Sequence, residues 1–436
     1  MVKYWKLVRY LMKNNALHYR NIAILAAFFG ATLAAMDFEL FLGALPGLLT
    51  LFHISPVHET IMTDFMFIGS AIGAFGFGSL ADKYGRKFIF IIMTVIYVIG
   101  SFFTAFATSI ATFSATRAFG GLGTGGDEPL GFTIVAEETT PKDRTFGLFI
   151  VSLSFPAGAA IAVGIVYMFT ISSIYLPYVF FIGIIPALVV ILIRKSMRES
   201  PRFEDLKNAK EEIKEKKQVN TQYKIDLKQA TKNTFSQMYS KGFARTSALI
   251  AVFVTMAAGA VAFDLIFLPQ YLIDVKGFAF ASTLEYEFFG YALSMLGFLY
   301  AAPLGKKIGR KNVIYINLVI SALLLLGIVV STSFDTIIAL YILFQVFLWS
   351  LWAAWPLYIN ESYPTRMRAT ASTYGYGFQW VGNILIPTVI STALALKVSW
   401  NDILIFIIVV PLFILLLVTF PWRISNAEAV LEENAV

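Results

Sequence analysis

Ionisable side chains embedded in long apolar stretches are the residues of this chain best placed to do chemistry: Asp37 and Glu39, Asp64, Arg117, Asp127 and Glu128, and Asp264. A charge in hydrocarbon is costly and persists where it has a partner, a proton or a solute to handle. The chemistry on offer is therefore proton exchange and ion pairing. The chain has no cysteine, which removes disulfides and thiolate metal sites. His18, His53 and His58 lie outside the apolar stretches, so no metal site and no cofactor are expected, and no catalytic constellation suggests an enzyme.

Glu39 and Arg117 are placed so that they could form an ion pair within the membrane. At a 1.5 Å rise per residue they sit about 18 Å and about 10 Å below the outer ends of their spans, close enough to meet near the midplane. An ionised Glu39 would hold Arg117 and protonation would release it. Asp37, Asp127 and Glu128 are further candidates. Glu128, eleven residues after Arg117, falls on the same helix face, whereas Asp127 falls on another. Glu285 and Glu287 lie at the end of a stretch and read as solvated.

The second half offers aromatic and amide groups for a solute. Asp264, Gln345, Trp352, Tyr376, Gln379, Trp380 and Asn383 are the candidate binding residues, with Trp349, Trp355, Tyr358 and Tyr374 nearby. Rings with hydrogen-bonding tips suit sugars, aromatic acids or cations. Trp349, Trp352 and Trp355 recur every three residues and are expected to form one stripe.

The elements that must hold these groups are membrane helices. Hydrophobic residues make up 58% of the 436 positions and charged residues 14%, and mean hydropathy is +0.73. A soluble globule is about 45–50% apolar, so lipid has to be the solvent. Runs of the length that spans a bilayer fall near 22–51, 60–81, 88–108, 110–136, 145–170 and 174–193, then 246–272, 284–304, 312–331, 334–359, 370–395 and 401–421. The fold class expected is an all-α membrane protein of twelve transmembrane helices in two pseudo-symmetric six-helix bundles.

With the N-terminus inside, all 34 Lys and Arg fall on the cytoplasmic side except Lys276, Lys397 and Arg117, as the positive-inside rule requires. The +7 charge reflects this bias, so nucleic acid is not an expected partner. The organisation expected is a basic cytoplasmic N-terminus (1–21), a first bundle (22–193), a Lys/Glu-rich cytoplasmic linker (194–245), a second bundle (246–421) and a cytoplasmic tail (422–436), with no cleaved signal peptide. The expected setting is the cell membrane, the chain a monomer, and the partners a small solute and protons.

Two motifs recur. Gly78-Ser-Leu-Ala-Asp82-Lys-Tyr-Gly85-Arg86-Lys87 is echoed at 302–311 by Ala-Pro-Leu-Gly-Lys-Lys-Ile-Gly309-Arg310-Lys311, and Glu138-Thr-Thr-Pro141-Lys-Asp-Arg144 by Glu361-Ser-Tyr-Pro364-Thr-Arg366. Such repeats mark secondary transporters, whose site lies between the repeats. Gly69 and Gly73, and the glycines between 120 and 126, read as close-packing positions.

The Gly78–Lys87 stretch resembles the loop signature of the major facilitator superfamily. Arg117 to Leu130, Glu138 to Arg144, Glu199-Ser-Pro-Arg-Phe203 and Glu361 to Thr370 resemble its sugar-porter, phosphate-porter and metabolite–proton symporter branch. The resemblance implies that a span-1 acid, here Glu39 at the aligned position, forms the proton-coupling pair with Arg117. It also implies a conformational latch drawn from Gly78, Asp82, Gly85, Arg86, Glu138, Arg144, Arg310, Glu361 and Arg366. The function it implies is proton-coupled import of a sugar or organic acid by alternating access. Gly-Gly-Asp127-Glu128-Pro-Leu resembles the phosphate-porter pattern, with Glu128 in place of its Tyr and Trp380 in place of the branch's anion-binding cation. A phosphate–proton symporter is thus an alternative, as are an exporter and an uncoupled facilitator. A solute receptor would be expected to carry a long signalling extension, unlike the short segment 422–436.

Overall fold

Lipid cannot satisfy a backbone N–H or C=O, so a chain this apolar closes its hydrogen bonds within helices. The computed structural model describes residues 2–51, 56–172, 174–215 and 234–419, and among these no strand occurs. The first half comprises α1 (Val2–Leu51), α2 (Pro56–Tyr84), α3 (Arg86–Thr104), α4 (Ile110–Glu138), α5 (Pro141–Ser152), α6 (Ser154–Ile171) and α7 (Ile184–Ser196). α8 (Pro201–Lys214) follows. The second half comprises α9 (Ala244–Ala262), α10 (Leu268–Asp274), α11 (Phe280–Ile308), α12 (Arg310–Val330), α13 (Phe334–Trp349), α14 (Trp355–Ser362), α15 (Arg368–Ala395) and α16 (Val410–Thr419).

α1 is unbroken from residue 2, so the basic N-terminus and the first apolar stretch share one helix. The tail 422–436 and linker residues 216–233 lie outside the described residues. α5 and α6 form a single apolar span interrupted at Leu153, and α9 and α10 another, joined by a π-helical turn at Phe263–Phe267. Gly85 (φ 111°) and Gly309 (φ 89°) make the two equivalent tight turns, α2 to α3 and α11 to α12. A Cβ would be strained at these φ values.

Eleven helical segments among the described residues are long and apolar enough to cross a membrane. α4 is not one of them, although it is 29 residues long. Its glycines and the charges of Arg117, Asp127, Glu128, Glu137 and Glu138 dilute its hydropathy. Those glycines serve packing. A Cβ on Gly69 or Gly73 of α2 would run into the carbonyls of Ala118 or Leu122 on α4, and one on Gly121 or Gly125 into those of Met66 or Ser70 on α2. The two backbones meet at reciprocal small positions, as helices in lipid do. The halves meet chiefly where α15 lies along α2 and α6 along α11.

Candidate functional site

The centre of the first half is an ion pair, but not the one expected. Arg117 Nη1 donates to Asp37 at 3.2 Å, Nη2 to Ser101 at 2.8 Å and Nε to Thr104 at 3.0 Å, while Ser101 also donates to Asp37. The Phe180 ring lies 5.0 Å from the guanidinium. Asp37 therefore holds Arg117, and the Glu39–Arg117 pairing is corrected. The reason is helical: two residues turn the side chain by about 200°, so Asp37 faces α3 and α4 while Glu39 faces the second half.

Glu39 lines a cavity of about 70 Å³ between the halves, together with Val163, Leu265, Pro269, Glu287 and Tyr291. Glu39 is 3% exposed and its Oε1 has no hydrogen-bond partner. Glu287, expected to be solvated, instead opens into this cavity; Glu285, two residues earlier, is exposed.

Asp127, a second proton-site candidate from the sequence, is ion-paired. It accepts from both terminal nitrogens of Arg194, at 2.6 and 2.7 Å, with both side chains fully buried. Arg194 also donates to the Phe90 carbonyl at 2.6 Å and to Thr94, and its guanidinium lies 3.3 Å from the Phe90 ring centre. Arg194 was expected in the cytoplasmic linker, yet it sits on the last turn of α7, where side chains tilt back toward the helix N-terminus and so into the bundle. Gly30 makes room for it: a Cβ there would occupy the guanidinium's place. Glu128 interacts with Tyr376 of the second half.

In the second half, Asp264 accepts from Trp349 Nε1 at 3.0 Å and Gln345 Nε2 at 3.3 Å, and Gln345 also donates to Tyr341 at 2.7 Å. The tryptophan stripe is present. Residues 350–353 form a 3-10 turn, whose three-residue period superimposes positions i and i+3. Trp349, Trp352 and Trp355 follow one another at 5.7 Å intervals between ring centres, first tilted and then edge-on, and Tyr376 continues the row, tilted, at 4.8 Å. Gln379 and Asn383 are buried on α15, each with an unpartnered carbonyl oxygen. Trp380 donates to the Gly125 carbonyl at 3.3 Å and packs on Phe38 and Phe67 of the first half. Trp352, Tyr376, Gln379, Trp380 and Asn383 do not line the Glu39 cavity.

At the other end the halves are tied together. Asp82 accepts from the Thr370 backbone N–H at 2.9 Å and hydroxyl at 2.6 Å, and pairs with Arg86 at 3.1 Å. Gly78 allows this approach, since a Cβ would strike Thr373. The acid at the heart of this cluster is Glu137, which the sequence reading missed. It takes Arg86 at 3.2 Å, Arg368 at 3.5 Å and Ser200 at 2.5 Å. Glu138, expected in this role, turns outward to Arg198 at 2.9 Å. Arg310 pairs with Glu361 at 3.2 Å, repeating the Arg86–Glu137 pair. Arg366 donates to Gln237 at 2.8 Å rather than to Glu361, and Arg144 is buried on α5. Glu199 caps α3, accepting from the backbone N–H of Arg86 at 3.0 Å and of Lys87 at 3.2 Å. Burial pushes the Glu199 carboxyl above its ordinary value, against the pull of these donors and of Arg86.

The Major Facilitator Superfamily model matches residues 27–387. The chain is 27% identical over 368 residues to the putative niacin/nicotinamide transporter NiaP of Bacillus subtilis (strain 168), covering 84% of this chain and 87% of that one. It is 26% identical over 361 residues to the probable 4-methylmuconolactone transporter of Cupriavidus pinatubonensis, covering 80% and 78%. Its fold matches that of the proton:xylose symporter XylE bound to 6-bromo-6-deoxy-D-glucose, with a TM-score of 0.79 at 17% identity over 96% of this chain and 98% of that one. A buried ion-paired core, a cavity between two repeats and a family match across most of the chain make this a multi-pass membrane transporter, not an enzyme, that belongs to the Major Facilitator Superfamily.

Proposed function

We propose that the protein is a proton-coupled symporter that moves a small organic solute across the cell membrane by alternating access. The observation that carries this reading is the buried Asp37–Arg117 pair, held by Ser101 and Thr104 in the middle of the first half. A carboxylate in low dielectric is stable while its cation is bound; protonation frees Arg117 to find other partners and loosens the bundle. The proton site is thus Asp37, with Asp127 engaged structurally by Arg194.

We take α4 as the twelfth crossing, its charges masked by α1, α3 and α7, with both termini and the 216–233 segment cytoplasmic. On that orientation the Asp82–Thr370 and Glu137–Arg368 contacts close the cytoplasmic end, and the Glu39 cavity lies toward the outside. Sugars and organic acids are the solutes the sequence favours, and import the direction. An organic acid or phosphate needs a cation. Arg117 and Arg194 already hold carboxylates, and Trp380 stands where an anion-binding Lys or Arg would be, so the geometry favours a solute without net negative charge.

The test is uptake into proteoliposomes from a panel of labelled sugars, carboxylates, amines and phosphate, with and without an inward proton gradient. Gradient-driven accumulation is expected in the wild type. Asp37→Asn should abolish accumulation while sparing exchange of solute down its own gradient. Wild-type uptake indifferent to the gradient, or full accumulation by Asp37→Asn, overturns the coupling assignment.

A further inference from the structure

We propose that the solute bears a positive charge, as an organic ammonium group held between Glu39 and Glu287; this inference rests on the transporter reading above. The cavity between the halves is lined by these two carboxyl groups, and among the described residues none that lines it is Lys, Arg or His. Asp264 lies just behind, near enough to interact electrostatically with both, but its oxygens are taken by Trp349 and Gln345. The Glu39 Oε1 is buried and has no hydrogen-bond partner among the described residues. The contrast with Asp37, two residues earlier, is the point: the fold supplies Asp37 with Arg117, and among the described residues no cation is paired with Glu39.

A buried carboxylate left unpaired is costly, and the cost falls when a cation arrives. The acids are too dispersed for a metal ion: no group of three His, Cys, Asp or Glu side chains among the described residues could hold one. An alkyl- or arylammonium is larger and can bridge them. Tyr291, 2% exposed, lines the same cavity and meets Trp349 edge-on at 5.9 Å, which supplies the aromatic face that ammonium groups favour. An anion would meet like charge here, and a neutral sugar would leave the carboxylates uncompensated.

The test uses probes matched in shape on purified full-length protein: benzylammonium, benzyl alcohol and benzoate, with choline as a bulkier cation. Binding is read by intrinsic tryptophan fluorescence and by thermal shift. Benzylammonium should bind about tenfold or more tighter than benzyl alcohol, with benzoate weakest. Glu39→Gln and Glu287→Gln should each erase most of that preference, and Glu285→Gln, an exposed acid on the same helix, should not. Benzyl alcohol or benzoate binding as tightly as the ammonium, or an ammonium preference that survives in both Gln variants, overturns the proposal. If one variant fails to fold, the other and the wild-type ranking still decide it. Counterflow in proteoliposomes separates the two readings. Movement of sugars or carboxylates but of no ammonium sinks the cation assignment and leaves transport intact. Glu-dependent ammonium binding without movement of any solute sinks transport and leaves the cation site.

Discussion

Breaking the Asp127–Arg194 pair should destabilise the protein far more than removing both partners together. The pair is bidentate at 2.6 and 2.7 Å with neither side chain exposed, so a survivor has no water to turn to. Removing one partner of a buried pair costs about 3–5 kcal/mol. The two single variants should differ within that range. Arg194 keeps the Phe90 carbonyl, the Thr94 hydroxyl and the Phe90 ring when Asp127 is lost, which places Asp127→Leu at about 3 kcal/mol. Among the described residues Asp127 accepts side-chain hydrogen bonds from Arg194 alone, which places Arg194→Leu at about 5 kcal/mol. The double variant Asp127→Leu/Arg194→Leu should cost about 1–2 kcal/mol, because apolar replacement of both partners is often close to neutral. Gly30→Ala should behave like a single variant, since its methyl group takes the guanidinium's place. The assay is reversible unfolding in mixed micelles followed by the fluorescence of the seven tryptophans, read as a double-mutant cycle. A coupling energy below about 1 kcal/mol would refute the reasoning.

Two further outcomes follow from the closed end. Glu137→Gln weakens the contacts to Arg86 and Arg368 together and should shift the protein toward opening at that end. A single cysteine introduced at Ser372, which is buried there, should react with a maleimide several-fold faster in the Glu137→Gln background, a clean measurement because the native chain has no cysteine. An unchanged rate would remove Glu137 from the latch. Glu199 supplies a pH test. Burial raises its folded-state pKa above the ordinary 4.5, so the folded state binds the proton more tightly than the unfolded state. Its contribution to stability is complete below pH 4.5 and is lost as pH rises through the raised value. The wild type should therefore gain thermal stability over that window on acidification, and Glu199→Gln should gain less; equal gains would show that Glu199 is not the source.

The apolar runs and the lopsided placement of Lys and Arg made the helices legible, because lipid leaves a chain few alternatives. The turn at Gly85 and its echo at Gly309 were legible for the same kind of reason: a tight turn needs a positive φ. What escaped was side-chain direction. Asp37 and Glu39 are both buried acids, and only the rotation of α1 against α3 and α4 decides which one meets Arg117. Glu137 and Glu138 are adjacent and differ by about 100° around one helix, enough to send one into the cluster and the other out to Arg198. Arg194 reads as a boundary residue because a charge at the end of an apolar run normally ends it. Its inward course shows only through Gly30 and Asp127, residues far away in sequence that make sense together once the helices are packed.

The charges that keep α4 below the hydropathy of a self-sufficient crossing also set an order of assembly. On the proposal that α4 is the twelfth crossing, Arg117 can be neutralised as soon as α4 enters the bilayer, because Asp37, Ser101 and Thr104 have already been synthesised. Asp127 cannot: its counter-ion is made sixty-seven residues later, at the end of α7. During synthesis the first half therefore carries an uncompensated carboxylate, or a bound proton in its place, until α7 arrives. The α7 helix then acts as the closing stave of the barrel. A chain that stops before Arg194 should leave α4 poorly retained in the membrane, and quality-control proteases would meet it at that point.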